Sequence, residues 1–255
     1  MRSVIYIFSF CLLFAGTAFA AALDDVRAAI NTGQYDQAYA QGSALGSIDG
    51  LLLAAESLNT KIMLGQSKSA KKDAQRAMKL SQDVLAQDPD HKNASLQYAI
   101  AFGFYGREVS AVTAWRKNLP PKIEASIHRA KLLNSNSPQS TAMLGAWHYS
   151  VVYKAGKKRA KKSYNATEEQ GRILFDAALE AAPNDIPIRA NYVMMLYVIG
   201  PKKNEEYIQS LLPVFHDLQP NNDLETRMLS VMAQFEASLE RPKAATKIAK
   251  KFLNW

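Results

Sequence analysis

Apolar residues recur at helical spacing along most of the chain. From Leu224 through Met228, Val231, Met232 and Phe235 to Leu239 the steps are 4, 3, 1, 3 and 4 residues, which holds all six to one side of a helix. Ile208, Leu211, Leu212 and Phe215 repeat the pattern, as do Leu51, Ala54, Ala55, Leu58 and Ile62. No comparable run alternates apolar and polar residues with period two. The pattern predicts an all-α protein.

The helical stretches end in a recurring way. "AQDPD" (Pro89), "NSNSP" (Pro138), "EAAPND" (Pro183) and "LQPNND" (Pro220) each place a proline among short polar residues. Proline cannot continue a helix, and a nearby Asn, Asp or Ser can cap the next one. Spacings of 49, 45 and 37 residues between these prolines predict helical hairpins of about 34 residues or more, stacked in series.

Finer spacing resembles the tetratricopeptide repeat family, whose repeat has Leu-Gly at positions 7 and 8, Ala at 20, an aromatic at 24, Ala at 27 and Pro at 32. With Leu64-Gly65 at 7 and 8, Ala77 falls at 20 and Pro89 at 32, while Ser81 and Val84 take 24 and 27. Counting back from Pro183 puts Phe175 at 24, Ala178 at 27 and Gly171 at 20, with Leu144-Gly145 as the first half of that unit. "GQYDQA" (Gly33 to Ala38) resembles the start of a second helix in an N-terminal unit. The resemblance implies a right-handed superhelical solenoid of antiparallel hairpins, in which small residues let helices approach and aromatics fill the space between hairpins. It also implies a concave groove for a protein or peptide. Pro213 falls inside an expected second helix and should kink or shorten it.

Gly145 and Pro183 lie 38 residues apart, 14 more than a gapless repeat allows. The excess falls around residues 154–167, within "GAWHYSVVYKAGKKRAKKSY", and is expected to form an enlarged basic turn projecting from a hairpin. Insertions of this kind emerge on one face, often the binding face. Trp147, Tyr149, Lys157, Lys158, Arg159, Lys161 and Lys162 are therefore the candidate partner-binding residues, with core packing the competing account of both aromatics and a solvated loop that keeps the protein soluble the competing account of the basic run. His148 is expected to serve as an inter-helix hydrogen-bonding group. A second basic cluster, Arg241, Lys243, Lys247, Lys250 and Lys251, lies on the last expected helix and fits a polar outer face on a terminal unit.

Compartment follows from the first twenty residues, MRSVIYIFSFCLLFAGTAFA. Arg2, an apolar run from Val4 to Ala15 and Ala18-Phe19-Ala20 have the layout of a cleaved signal peptide. Residues 21–255 would then form a single helical repeat domain, exported to the periplasm. Cys11, the sole cysteine, would leave with the signal, so no disulfide is expected and stability must come from apolar burial. Loss of Arg2 leaves 30 basic residues against 23 acidic ones, a net charge of +7. This balance favours acidic protein or peptide partners, or peripheral contact with an anionic envelope surface. Nucleic acid is not expected, because no recognition motif accompanies the lysines.

Chemistry-bearing motifs are missing from the sequence. There is no P-loop, no GxGxxG and no GxSxG elbow. His91, His128, His148 and His216 form no HxxxH or HExxH pair, so no metal is expected. Asp24-Asp25, Glu168-Glu169 and Glu205-Glu206 are adjacent pairs whose members point in different directions on a helix. The expectation is a non-enzymatic binding protein without cofactors: first a protein- or peptide-binding scaffold or accessory subunit of the cell envelope, alternatively a periplasmic carrier of a small apolar ligand working with a transporter. Tyr192 to Tyr197, rich in tyrosine and methionine, is the stretch that could line a carrier's pocket.

Overall fold

Every regular element in the computed structural model, which describes residues 19–135 and 137–255, is helical. The expected signal peptide lies outside the described residues apart from its last two positions. The helices are α1 (19–31), α2 (Tyr35–Leu45), α3 (Ile48–Met63), α4 (Ala70–Gln87), α5 (Lys92–Glu108) and α6 (Ala111–Arg116). They continue with α7 (Leu119–Leu133), α8 (Pro138–Ala155), α9 (Lys157–Tyr164), α10 (Glu168–Ala181) and α11 (Ile186–Ile199). After α12 (Glu205–Leu211) and a 3-10 turn (Pro213–His216) come α13 (Asp223–Glu236) and α14 (Pro242–Leu253). None of the described helices is long and apolar enough to cross a membrane.

Local chemistry explains the breaks. Ser47, His91, Ser137, Thr167, Asp185 and Asn222 precede helices, and the side chain of each accepts a backbone N–H of the first turn. Each such cap is worth about 1 kcal/mol and satisfies a donor that the helix itself leaves open. Pro138 and Pro187 sit inside first turns, where a missing N–H costs nothing. α12 stops at Leu211, two residues before Pro213, and Pro213 opens the 3-10 segment, as expected of a proline within a helical pattern.

Packing runs mainly between neighbours in the chain: α2 on α3, α3 on α4, α4 on α5, α5 on α7, α7 on α8 and α8 on α10. Buried apolar residues accordingly form separate clusters rather than one. Leu52, Val84 and Ala94 join α3, α4 and α5; Ala55, Leu58, Ala77 and Ala101 join the same helices one layer along. At the α8–α10 crossing Gly145 and Gly171 meet, and Phe175 and Ala178 are buried beside them. Phe175 stacks on Tyr192 at 4.5 Å, and the Tyr192 and Tyr207 hydroxyls both donate to Asp176.

Two expectations are corrected. Gly65 does not sit mid-helix against a partner: it follows α3 with φ +65° and no atom within 4 Å of where a Cβ would lie. Its N–H bonds Ile62 O and that of Gln66 bonds Lys61 O, both at 3.0 Å, the paired bonds of a helix-terminating Schellman turn. Leu64-Gly65 therefore ends α3, and the repeat register counted from it does not hold. The basic segment, expected as an enlarged turn, is the helix α9. Ala160 and Tyr164, four residues apart, pack inward while the lysines face out.

The chain also returns on itself. Tyr35 on α2 donates its hydroxyl to Asp223 on α13 at 2.9 Å. Beyond α14, Trp255 stacks on Tyr153 at 4.3 Å, and the Asn254 amide reaches Ile62 O at 3.4 Å. The last helix packs on α11 and α13 through Ala245, Ala249 and Leu253 and keeps Arg241, Lys243, Lys247 and Lys251 exposed, the expected polar outer face, while the two residues after it reach α3 and α8.

Candidate ligand-binding site

Helices α5, α7 and α8 do not fill the space between them. Pro120 begins this opening: it lies in the first turn of α7, after Asn118 has turned the chain with φ +50°. The Pro120 carbonyl accepts the Trp147 indole N–H at 2.9 Å, which fixes the indole of α8 against the start of α7. Behind that contact lies a cavity of about 560 Å³. Its walls are Ile100 and Phe104 from α5, Leu119, Ile123 and Ile127 from α7, and Met143, Trp147 and Val151 from α8. Phe175, Pro187, Ile188 and Asn191 close the far side. That size and apolar character are those of small-molecule sites.

Helix α6 lies at the mouth. It is one and a half turns long, capped by Ser110, and contributes no buried residue to the core. Its Ala111, Val112, Ala114 and Trp115 all belong to the lining, yet Val112 is 58% and Trp115 59% exposed. These are among the largest exposed apolar groups of the molecule. An exposed Trp beside an apolar cavity is poorly hydrated and gains by covering a guest.

Charge in the lining has one sign. Arg107, Arg116, Lys154 and Arg159 contribute, and among the described residues no Asp or Glu does. The Lys154 ammonium reaches back from α8 to the end of α5, where it donates to the carbonyls of Gly106, Arg107 and Val109 at 3.1, 2.6 and 2.9 Å. It satisfies acceptors that a helix end leaves open, and burial lowers its pKa. Burial likewise pulls Arg107 down to about 10, so it remains a cation at neutral pH.

The residues singled out by sequence fall in different places. Trp147 is buried and is part of the cavity wall; Tyr149 is buried in the core beside Phe175 and Tyr192. The competing account, packing, describes both in this conformation, and neither lies on an outer face. Lys157 and Lys203 flank the Glu168 carboxylate. Lys158, Arg159, Lys161 and Lys162 are exposed on α9, with no carboxylate within 4 Å among the described residues. Of these only Arg159 reaches the cavity. His148 is buried, and its Nδ1 accepts the backbone N–H of Thr167, the cap of α10, at 3.2 Å. Burial first, and the neighbouring His128 second, hold it down to about 4, so it stays neutral.

Tyr192 to Tyr197 do not line the cavity. All six side chains are buried in the core formed with α10, α13 and α14. The walls come mainly from α5, α6, α7 and α8, with Phe175 of α10 and the first turns of α11 on the far side, and there the sequence carries only ordinary apolar spacing. Among the described residues no group of His, Cys, Asp or Glu is arranged to hold a metal. Comparison with protein-family models and with curated proteins returns no match.

Proposed function

We propose that this protein is a non-enzymatic carrier that holds a small, largely apolar ligand in the cavity between α5, α6, α7 and α8. The observation that carries the reading is the cavity itself: about 560 Å³ with walls of Ile, Leu, Val, Met, Phe and Trp side chains. A helical protein of this length has ample apolar residues to close such a space. Leaving it open beside the exposed Trp115 forfeits packing that a guest would restore.

The wider setting is part of the same proposal. The layout of residues 1–20 supports export to the periplasm. Neighbour-on-neighbour helix packing and the Gly145–Gly171 crossing support a tetratricopeptide-like solenoid, with α6 and α9 as additions between its hairpins. A protein-binding role keeps one specific support, the unpaired cations of α9, which suit an acidic partner such as a transporter subunit receiving the ligand.

Displacement of an environment-sensitive apolar dye tests the carrier reading. The wild type is expected to bind the dye with quenching of Trp115, and Met143→Trp or Ile123→Trp, which fill the cavity, should abolish binding while the helical circular dichroism is retained. Dye binding unchanged by both fillings would overturn the assignment.

A further inference from the structure

We propose that the ligand is an anionic amphiphile, an apolar chain or ring bearing a carboxylate or phosphate head, with Arg107 as the principal counter-ion. This rests on the reading of the cavity as a ligand site and adds the ligand's charge.

The lining holds four cations and, among the described residues, no carboxylate. Several cations elsewhere are paired: Arg27 with Asp24, Arg76 with Asp73, Arg129 with Asp90, Arg227 with Asp223. None of the four lining cations has a carboxylate within 4 Å. Glu108, at the end of α5, is the carboxylate whose charge acts on Arg107 and Lys154, and it is not part of the lining, which leaves the cations as the charged groups that face a guest.

Arg107 is the group with unspent capacity. A guanidinium carries five N–H donors. Here one reaches the Leu253 carbonyl at a long 3.4 Å, and the group lies 5.5 Å from the Phe104 ring centroid. Lys154 differs, because its ammonium already donates to three carbonyls and contributes charge alone. Arg116 and Arg159 are exposed at the mouth and suit the capture of an approaching anion. Arg107 is desolvated and feels Glu108 only at a distance beyond 4 Å, so an incoming anion would give it a direct charged partner while the apolar part fills the cavity.

Three probes of equal chain length separate the possibilities: dodecanoate, dodecyl phosphate and dodecan-1-ol, each competing with the dye below its micelle concentration. The wild type is expected to bind at least one of the two anions about tenfold or more tighter than the alcohol. The preferred head is the one whose advantage Arg107→Met removes. Arg116→Gln with Arg159→Gln, at exposed positions that leave the core intact, should slow anion association and weaken its salt dependence. Equal affinity for the alcohol and both anions overturns the charge assignment and leaves the carrier reading standing. A folded protein that binds none of the three, nor the dye, overturns both.

Discussion

Gly145 on α8 and Gly171 on α10 approach so closely that a Cβ on Gly145 would lie 3.0 Å from the Gly171 carbonyl oxygen and 2.7 Å from a ring carbon of Phe175. In a free helix, exchanging Gly for Ala stabilises by about 1 kcal/mol. Here the sign reverses, because backbone and a stacked ring stand in the way. Gly145→Ala is expected to cost about 1–3 kcal/mol in urea unfolding. A stabilising result would show that the two helices separate easily.

His148 gives the fold a dependence on acid. Its folded pKa of about 4 lies below its ordinary value of 6.5, so between these values the unfolded chain binds more protons than the folded one. The stabilisation is complete above pH 6.5 and is lost as pH falls towards 4. His148→Gln, which can still accept the Thr167 N–H, should flatten that part of the stability profile. Coincident profiles for the two proteins would assign the acid sensitivity elsewhere.

Lys154 holds the end of α5 through three carbonyls. Lys154→Met keeps the stem and removes the donors, leaving the three acceptors short of partners. The expected loss is about 2 kcal/mol or more, with faster amide exchange in the last turn of α5. Unchanged exchange there would mean that water replaces the ammonium without loss.

The closure of the molecule has its own test at Tyr35 and Asp223. Burial and the adjacent carboxylate raise the tyrosine's pKa, which keeps its proton in the hydrogen bond. Tyr35→Phe should cost about 1–2 kcal/mol, and a double-mutant cycle with Asp223→Asn should recover most of that as coupling. Additive effects would place the two elements out of contact in solution.

On α9 the faces should respond oppositely. Replacing Lys158, Lys161 and Lys162 together by Gln should change stability by less than about 0.5 kcal/mol. Ala160→Asp, which buries a carboxylate at a position with no exposure, should unfold α9 as seen by amide exchange. Equal tolerance on both faces would contradict the packing of this helix.

Much of this was readable in the sequence. Helical class and the breaks at Pro89, Pro138, Pro183 and Pro220 follow from periodicity and backbone sterics, which act over a few residues, while the pairing of Gly145 with Gly171 and Phe175 is what the tetratricopeptide resemblance implied. Gly65 misled because the same residue type serves a close crossing and a left-handed helix end, and only its φ separates the two. The basic run misled because charge density conceals that Ala160 and Tyr164 share an inward face.

The cavity was beyond reach for a different reason. Met143 and Trp147 are four residues apart on one helix, as are Tyr192 and Leu196 on another, yet the first two border open space and the others are core. Periodicity states which side of a helix is apolar, not whether the opposing surface arrives. That depends on how α6 and α7 are set against α5 and α8, and on Lys154, Asn118 and the Trp147–Pro120 bond that hold them there. The order of helices was local information; the gap between them, and the single sign of charge around it, came only from packing distant segments together.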